Sequence, residues 1–329
     1  MIGDRDCGLA WPYLLRRVAE VEGLEGCDAA DVTSVYGYSG PLAWGCEPGA
    51  EFFEAAWREL VGMWRSQGVV AAFTRFHPLL GNAAWIEPIT WRPADDDATG
   101  EPDASPVAAL GRTVSIDLTL SEEAIVAGYS ESVRRQIRHY RAAGQTTTHD
   151  EDWADLPEFT RLYHHTMSRN GADEYYFWDL ENFRRLRAAL GDHAHLIVTR
   201  VGDVVGAAGI FTEYEGIVQE HLLAADQALS HISPYKVLLD DTAKWAKRRG
   251  NRVLHLGGGR GAREDSLFEF KSRFSPRRHP FSTGRWVLDR GTYEELVRAR
   301  HARVAGRGTL SAAYFPAYRA PVVEPDPER

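Results

Sequence analysis

The glycine run Gly257, Gly258, Gly259 and Gly261, interleaved with Arg260 and Arg263, follows a short apolar stretch and precedes a helical one. Backbone N–H groups and guanidinium groups at such a place can hold a phosphate or carboxylate, and the same run can be a plain turn. Its spacing matches no nucleotide fingerprint. From Arg260 to Arg278 six basic residues (Arg260, Arg263, Lys271, Arg273, Arg277 and Arg278) face three acids, Glu264, Asp265 and Glu269. That local excess suits phosphate contacts or a solvated face. Arg134, Arg135, Arg138 and Arg141 fall in one helical stretch, and 134, 138 and 141 share a face for nucleic-acid phosphates or an ion-pair network. For proton transfer the candidates are Glu220 and His221, adjacent on a strand, with His255 on another. Strand alternation directs one of the first two to a cleft and the other to the core. Arg169 and Asn170 precede Tyr175, Tyr176, Phe177 and Trp178 in a connection between helices, a place that lines ligand sites or packs a core. Tyr36 and Tyr38 lie in a glycine-rich stretch. There is no HExxH helix, no Cys–His pairing and no GxSxG elbow, so metal hydrolysis and covalent catalysis are not expected.

These residues need elements to position them. Phe53, Trp57, Leu60 and Trp64 predict a helix over 50–67, followed by a buried strand from Val69 to Phe76. Arg92 to Pro106, with three consecutive aspartates and three prolines, reads as a solvated loop. A strand is expected at Thr113–Leu118, a helix over Ser121–Ala143 and a polar connection at Gln145–Asp152. Asp155 with Glu158 three residues on predicts a capping box. A second helix begins near Asp179. Three antiparallel strands follow: His195–Val201, Val204–Phe211 and Ile217–Ala224. The helix from Pro234 carries Tyr235, Leu238, Leu239, Thr242, Trp245 and Ala246 at helical spacing and ends in Lys247, Arg248, Arg249 and Gly250. Arg252–Leu256 reads as a strand, Asp265–Phe274 as a helix and His279–Leu288 as closing strands.

The whole chain, 329 residues and 36.8 kDa, is long enough for two domains without staples. Its net charge of −9 excludes a globally basic nucleic-acid coat but not a local patch. Cys7, Cys27 and Cys46 form no CxxC pair, so neither a disulfide framework nor structural zinc is expected, and a reducing compartment fits. No run of 18 apolar residues predicts a membrane span, and Met1–Ala10 does not read as a signal peptide. The expectation is a cytoplasmic protein with no metal and no membrane partner.

The element order resembles the GNAT acyltransferase fold. From Ser132 to Pro276 the chain resembles the Fem-type (FemABX-like) branch of that superfamily, in its compact form without a coiled-coil arm. The carrying residues are Ser132-Val-Arg-Arg-Gln-Ile-Arg138 with Gly144, Leu162-Tyr163, Arg169-Asn170, Ser233-Pro234-Tyr235, Leu254-His-Leu-Gly-Gly-Gly259 and Asp265-Ser-Leu-Phe-Glu-Phe-Lys271. Tyr36-Gly-Tyr38-Ser-Gly-Pro41 and Arg75-Phe-His-Pro78 fit the same likeness. It implies an α/β fold of mixed sheets with two GNAT-like domains side by side. We expect the domains at 1–147 and 148–302, with the tail from about 303 to 329 packing back on the first.

The resemblance implies transfer of an amino acid from aminoacyl-tRNA to an amine of a small molecule or peptide, as in cell-wall or antibiotic biosynthesis. Aminoacyl-tRNA would be a substrate, and no cofactor is implied. Phe270 and Lys271 would be catalytic, the ammonium meeting the ester and steadying the oxyanion. Glu220 and His221 complete the catalytic candidates. Arg169, Asn170, Tyr175, Tyr176, Tyr36, Tyr38, Tyr235, Gly258, Gly259 and Arg260 would bind substrate. Arg134, Arg138, Arg141, Arg263, Arg273, Arg277 and Arg278 would bind RNA. The alternative is an acyl-CoA-dependent N-acetyltransferase. Against it, the loop Asp226–Tyr235, where such an enzyme holds pyrophosphate on glycine N–H groups, has no glycine, and Pro234 removes a donor. A non-catalytic binding protein on the same scaffold is a third reading.

Overall fold

The computed structural model describes residues 2–3, 6–45, 49–86 and 106–323. The chain divides into two compact units, Gly111–His279 and Met1–Leu110 with Pro280–Arg329.

The central unit is a mixed sheet between helices. Its elements are β1 (Val107–Asp117), α1 (Glu122–Ala127), α2 (Glu131–Ala142), β2 (Gln145–Asp150), α3 (Leu156–Arg169), α4 (Leu180–Leu190), β3 (Ala194–Val201), β4 (Val204–Tyr214), β5 (Ile217–Ala225), α5 (Pro234–Arg248), β6 (Val253–Gly257) and α6 (Ser266–Ser272). The strand order is β1-β6-β5-β4-β3-β2. Only the β5–β6 pair is parallel. The sheet buries apolar side chains on both faces. Ile125, Val133, Ile137, Leu238, Leu254 and Phe268 form one core, and Phe159, Leu162, Phe183, Leu196 and Ile210 form the other.

The predicted meander and the helix from Pro234 are present. Three local expectations fail for identifiable reasons. The helix expected over Ser121–Ala143 is two, because Ser130 caps a new start by accepting from the Val133 N–H at 3.4 Å. Gln145–Asp150 is an edge strand, not a connection: it pairs with β3 along its length, and its threonines suit a strand. Asp155 occupies the N-cap of α3 without capping it, since its carboxylate accepts from Arg200 at 2.6 Å while Glu158 pairs with Arg161.

The other unit holds the strands Tyr13–Arg17, Ala30–Ser34, Val69–Arg75 and Arg278–Val287, the last entering from the central unit. Helix Ala50–Ser66 packs Trp57 and Trp64 against Trp11, Phe76 and Trp286. Val70 instead meets Leu296, from helix Arg290–Val304, and Tyr318. The units therefore part at 110/111 and 279/280, not at 147/148. Residues 111–147 bury Ile116, Ile125, Val133 and Ile137 in the central core, and 280–302 bury Trp286 and Leu296 in the other. The tail packs with the N-terminal segment, Tyr318 donating to buried Asp31 at 3.2 Å. Cys7 is disulfide-bonded and Cys27 is free. No helix among the described residues is long and apolar enough to cross a membrane. The loop expected at Arg92–Pro106 lies, apart from Pro106, outside the described residues.

Candidate active site

Strands β5 and β6 pair over three rungs, Ile217–Val253, Val218–Leu254 and Gln219–His255, and then part. Both are irregular where they part. Ile210 of β4 opposes Leu222 while Phe211 opposes Glu220, which leaves His221 as an extra residue in β5. Ser115 of β1 opposes His255 while Val114 opposes Gly257, which leaves Leu256 extra in β6. A bulge bends its strand and re-aims the side chains beyond it. Val218 and Leu222, four residues apart, would share a face in a regular strand. Here Val218 joins the core under α2 and α5, and Leu222 joins the one under α3 and α4.

Side chains occupy the place where the strands separate. Lys271 Nζ of α6 lies 2.9 Å from Glu220 Oε1, and both side chains are buried. The Tyr235 hydroxyl donates to Glu220 Oε2 at 3.1 Å. Lys271 also donates to the backbone carbonyl of Leu256, the bulged residue. The Gln219 amide donates to the Glu220 carbonyl at 2.8 Å, so its Oε1 faces His255 Nδ1, at 2.5 Å. A side-chain amide oxygen only accepts, so that His255 nitrogen carries the proton. Backbone carbonyls near the break are thus taken up by side chains, as buried polar groups require. Phe270 stacks on Tyr235 with centroids 4.9 Å apart.

Burial pushes the Glu220 carboxyl above its usual pKa, against the opposing pull of the Lys271 ammonium and its hydrogen bonds. Burial and then the Glu220 charge push the Tyr235 phenol well above its ordinary value, so it remains a donor. Burial lowers the His221 imidazole, leaving it neutral at pH 7. Glu220 and the Leu256 carbonyl take two of the three ammonium donors of Lys271, which leaves one for a carbonyl oxygen or an oxyanion.

The structure therefore joins Lys271, Glu220, Phe270 and Tyr235 in one group. The ammonium of Lys271, expected to steady an oxyanion, is one half of a buried ion pair with Glu220. Glu220, with both oxygens engaged, holds the ammonium and the phenol in place. His221 follows it as the bulge residue.

The glycine loop is a turn built on its own carboxylate. Asp265 Oδ1 accepts from the Leu267 and Phe268 N–H groups, each at 3.1 Å. Its Oδ2 accepts from Arg260 N at 3.3 Å and Nε at 3.1 Å. A Cβ on Gly259 would lie 2.0 Å from the Arg263 carbonyl. Arg260 is thus tied to the Asp265 carboxylate, and Gly259 is closed in against the Arg263 carbonyl.

Arg169 donates to Gln227 in the loop before α5 at 2.6 Å, and Asn170 ends α3. Tyr175 and Tyr176 pack edge-on at 5.3 Å, with Tyr175 exposed. None of the four belongs to the Glu220–Lys271 group. Tyr36 and Tyr38 belong to the other unit, where Tyr38 packs edge-on to Phe281 at 5.1 Å.

The shared face of Arg134, Arg138 and Arg141 is not free. Arg134 donates to the Ala127 and Tyr129 carbonyls at 2.8 Å and lines an open cavity of about 630 Å³ with Glu122, Glu123 and Lys244, a mixture of signs poorly suited to a polyanion. Arg141 pairs with Asp240 at 2.6 Å and with Asp241. Arg277 pairs with Asp117 at 3.0 Å, and Arg278 donates to the Ser275 carbonyl at 2.6 Å. Arg138, Arg263 and Arg273 are exposed. Sequence reasoning missed Gln219, whose partner across the β5–β6 rung is visible only in the sheet register. Among the described residues no group of three His, Cys, Asp or Glu side chains could hold a metal ion.

Residues 127–272 match the acetyltransferase (GNAT) domain family. No curated protein matches the chain in sequence. Among solved structures, FemX is similar at a TM-score of 0.62 and 11% identity, over 86% of this chain and 85% of that one. L-PGS from Bacillus licheniformis gives 0.54 and 13%, over 87% and 85%. The C-terminal domain assigned to a lysylphosphatidylglycerol synthetase from Agrobacterium fabrum gives 0.52 and 14%, over 84% and 83%. At these identities the likeness is one of fold. The stretch that is similar to the GNAT acetyltransferase domain contains the parting strands and the whole Glu220–Lys271 group.

Proposed function

We propose that this protein is an aminoacyltransferase that moves an amino acid from aminoacyl-tRNA to an amine of a small molecule or peptide. The observation that carries the reading is the state of the loop before α5. It is a 3-10 turn over Gln227–Ile232 in which several N–H groups are spent internally. Ala228 N donates to Asp226 Oδ1 at 2.9 Å, Ser233 N to the Leu229 and Ser230 carbonyls, and Lys236 N to the Ser233 carbonyl at 3.0 Å. Pro234 has none to offer. Few backbone donors remain for a coenzyme A pyrophosphate. The Fem-type sequence pattern and the FemX fold likeness support the same direction.

In this reading the amine nitrogen attacks the ester carbonyl carbon. Lys271 meets the developing oxyanion with its remaining N–H, in a site too dry to weaken that contact. The bond from carbon to the terminal ribose oxygen breaks, and the proton lost by the amine passes to that oxygen, leaving an amide and a free hydroxyl. An activated ester needs orientation and charge stabilisation more than acid–base chemistry, so the reading calls for no cofactor and no metal. The donor places the reaction in the cytoplasm.

The test is transfer to a panel of amines from an aminoacylated RNA minihelix and, in parallel, from acetyl-CoA. Transfer from the RNA ester alone, lost in Lys271→Met, supports the reading. The acetyltransferase family match favours the second reading, an acyl-CoA-dependent N-acyltransferase, and turnover with acetyl-CoA alone would establish it.

A further inference from the structure

We propose that Lys236 and Arg273, both beside Phe270, form a subsite for a phosphate group of the donor substrate. Lys236 lies in the first turn of α5, where the helix dipole disfavours a cation, and no acidic residue sits in that turn. The N-cap residue, Ser233, adopts a left-handed conformation (φ 39°, ψ 61°) that is costly for a side-chain-bearing residue. Its hydroxyl does not cap the helix but accepts from Lys236 Nζ at 3.0 Å. Three locally unfavourable choices therefore hold one ammonium in place, 5.8 Å from the Phe270 ring centre. Such concerted departures from local preference mark functional positions.

Arg273 ends α6 one turn after Phe270, so the two share a face of that helix. It is exposed. Burial and then the positive charge of Arg273 push the Lys236 ammonium below its ordinary pKa. Both cations flank Phe270, Lys236 by its ring contact and Arg273 from one turn along α6, and among the described residues no carboxylate forms an ion pair with either. That is an unfavourable state for the empty protein and a favourable one once an anion lies between them. A phosphate fits: the guanidinium offers a planar fork and the ammonium a point charge. The place fits too, since Phe270 is the residue before Lys271, which puts the cations within nucleotide reach of the ester. With few loop N–H groups left, side-chain cations supply the recognition that a backbone cradle would otherwise give.

This inference rests on the aminoacyl-tRNA reading for the source of the phosphate. A phosphodiester of an RNA 3′ end and a phosphate of coenzyme A share the chemistry, and the experiment separates them. The probes are a single-stranded tetranucleotide ending in CCA with an amide-linked alanine at its 3′ end, and coenzyme A. Each is titrated at several salt concentrations into the wild type, Lys236→Gln, Arg273→Gln and the charge reversal Arg273→Glu. Both positions are at least partly exposed, so the variants should fold, and thermal unfolding checks that they do. The expected result is that the RNA probe binds the wild type and loses about 10-fold in affinity in each Gln variant, and more in Arg273→Glu. The slope of log K against log salt should fall by about 0.7 for each lost contact. The same dependence seen with coenzyme A alone would keep the subsite and overturn the aminoacyl-tRNA reading. RNA binding with affinity and slope unchanged in all three variants would overturn the subsite and leave that reading standing. Binding of neither probe at low salt would overturn both.

Discussion

Replacing Lys271 with methionine keeps most of the side-chain volume and removes one charge of a buried pair. At the observed 2.9 Å, and an effective dielectric of about 20, the attraction between the two charges is about 6 kcal/mol. Burying each ion costs several kcal/mol, so the intact pair contributes little net stability. The variant, however, leaves Glu220 buried without its counter-ion, and the carboxylate can escape only by taking up a proton. Relative to an unfolded glutamate near pKa 4.3, that costs about 5 kcal/mol at pH 8 and about 1.6 kcal/mol at pH 5.5. The sign follows from linkage. A carboxyl whose folded pKa is raised binds a proton that the unfolded chain has released, so stability is full below the unfolded value and is lost as pH rises through the folded one. Burial already raises Glu220 in the wild type, and losing Lys271 removes the main opposing pull. Urea unfolding at pH 8 and pH 5.5 should therefore show a destabilisation of about 3–5 kcal/mol in Lys271→Met at the higher pH, shrinking to below about 2 kcal/mol at the lower. Lys271→Met/Glu220→Gln should recover most of the loss at pH 8. A cost under about 1 kcal/mol at pH 8, or one independent of pH, would refute the reasoning. Loss of turnover in Lys271→Met is therefore informative only at a pH where the variant is folded.

Three further outcomes are expected. Gly259→Ala should destabilise by about 1–3 kcal/mol through a clash with the Arg263 carbonyl, while Gly261→Ala, at φ 59° in open space, should cost only about 1–2 kcal/mol of backbone strain; Gly261 the more sensitive in thermal unfolding would contradict the packing described. Burial lowers the imidazoles of His149 and His195, so the unfolded state binds more protons below about pH 6.5 and stability should fall as pH drops from 7 to 5; His149→Gln should flatten that fall, and an unchanged pH profile of the melting temperature would count against it. Asp31→Asn leaves Arg16 and Arg319 without their buried carboxylate, at a cost of about 3–5 kcal/mol; because Arg319 and Tyr318 reach Asp31 from the C-terminal tail, limited proteolysis should cut that tail faster, and an unaltered rate would mean the contact does not hold it.

Much of the framework was legible in the residues. The helices from Ala50 and Pro234 follow from their apolar stripes, and the meander from its alternation and turns. The Asp155–Glu158 pattern has the form of a capping box, yet Asp155 meets Arg200 from β3 instead. A short motif reports what a side chain can do locally, and a charged partner 45 residues away outbids it. The same reason explains the arginines. Arg134, Arg138 and Arg141 share a helical face by spacing, but carbonyls and aspartates brought near by folding claim two of them. The boundary at 147/148 misplaced residues 111–147 because nothing local shows that Ile116 and Val133 meet Leu238 and Leu254.

For the site, the sequence alone determined which groups were available: the Phe270–Lys271 pair, Glu220 with His221, Tyr235, and a loop before α5 without glycine. These follow from residue type and near spacing. Only the tertiary structure decided that Lys271 and Glu220 neutralise each other, that Tyr235 donates to the same carboxylate, and that Asp265 fills the glycine loop. The first two outcomes arise where β5 and β6 part, beside one extra residue in each strand. Strand register arises from pairing between segments far apart in the chain, and a one-residue shift there turns every later side chain to the other face.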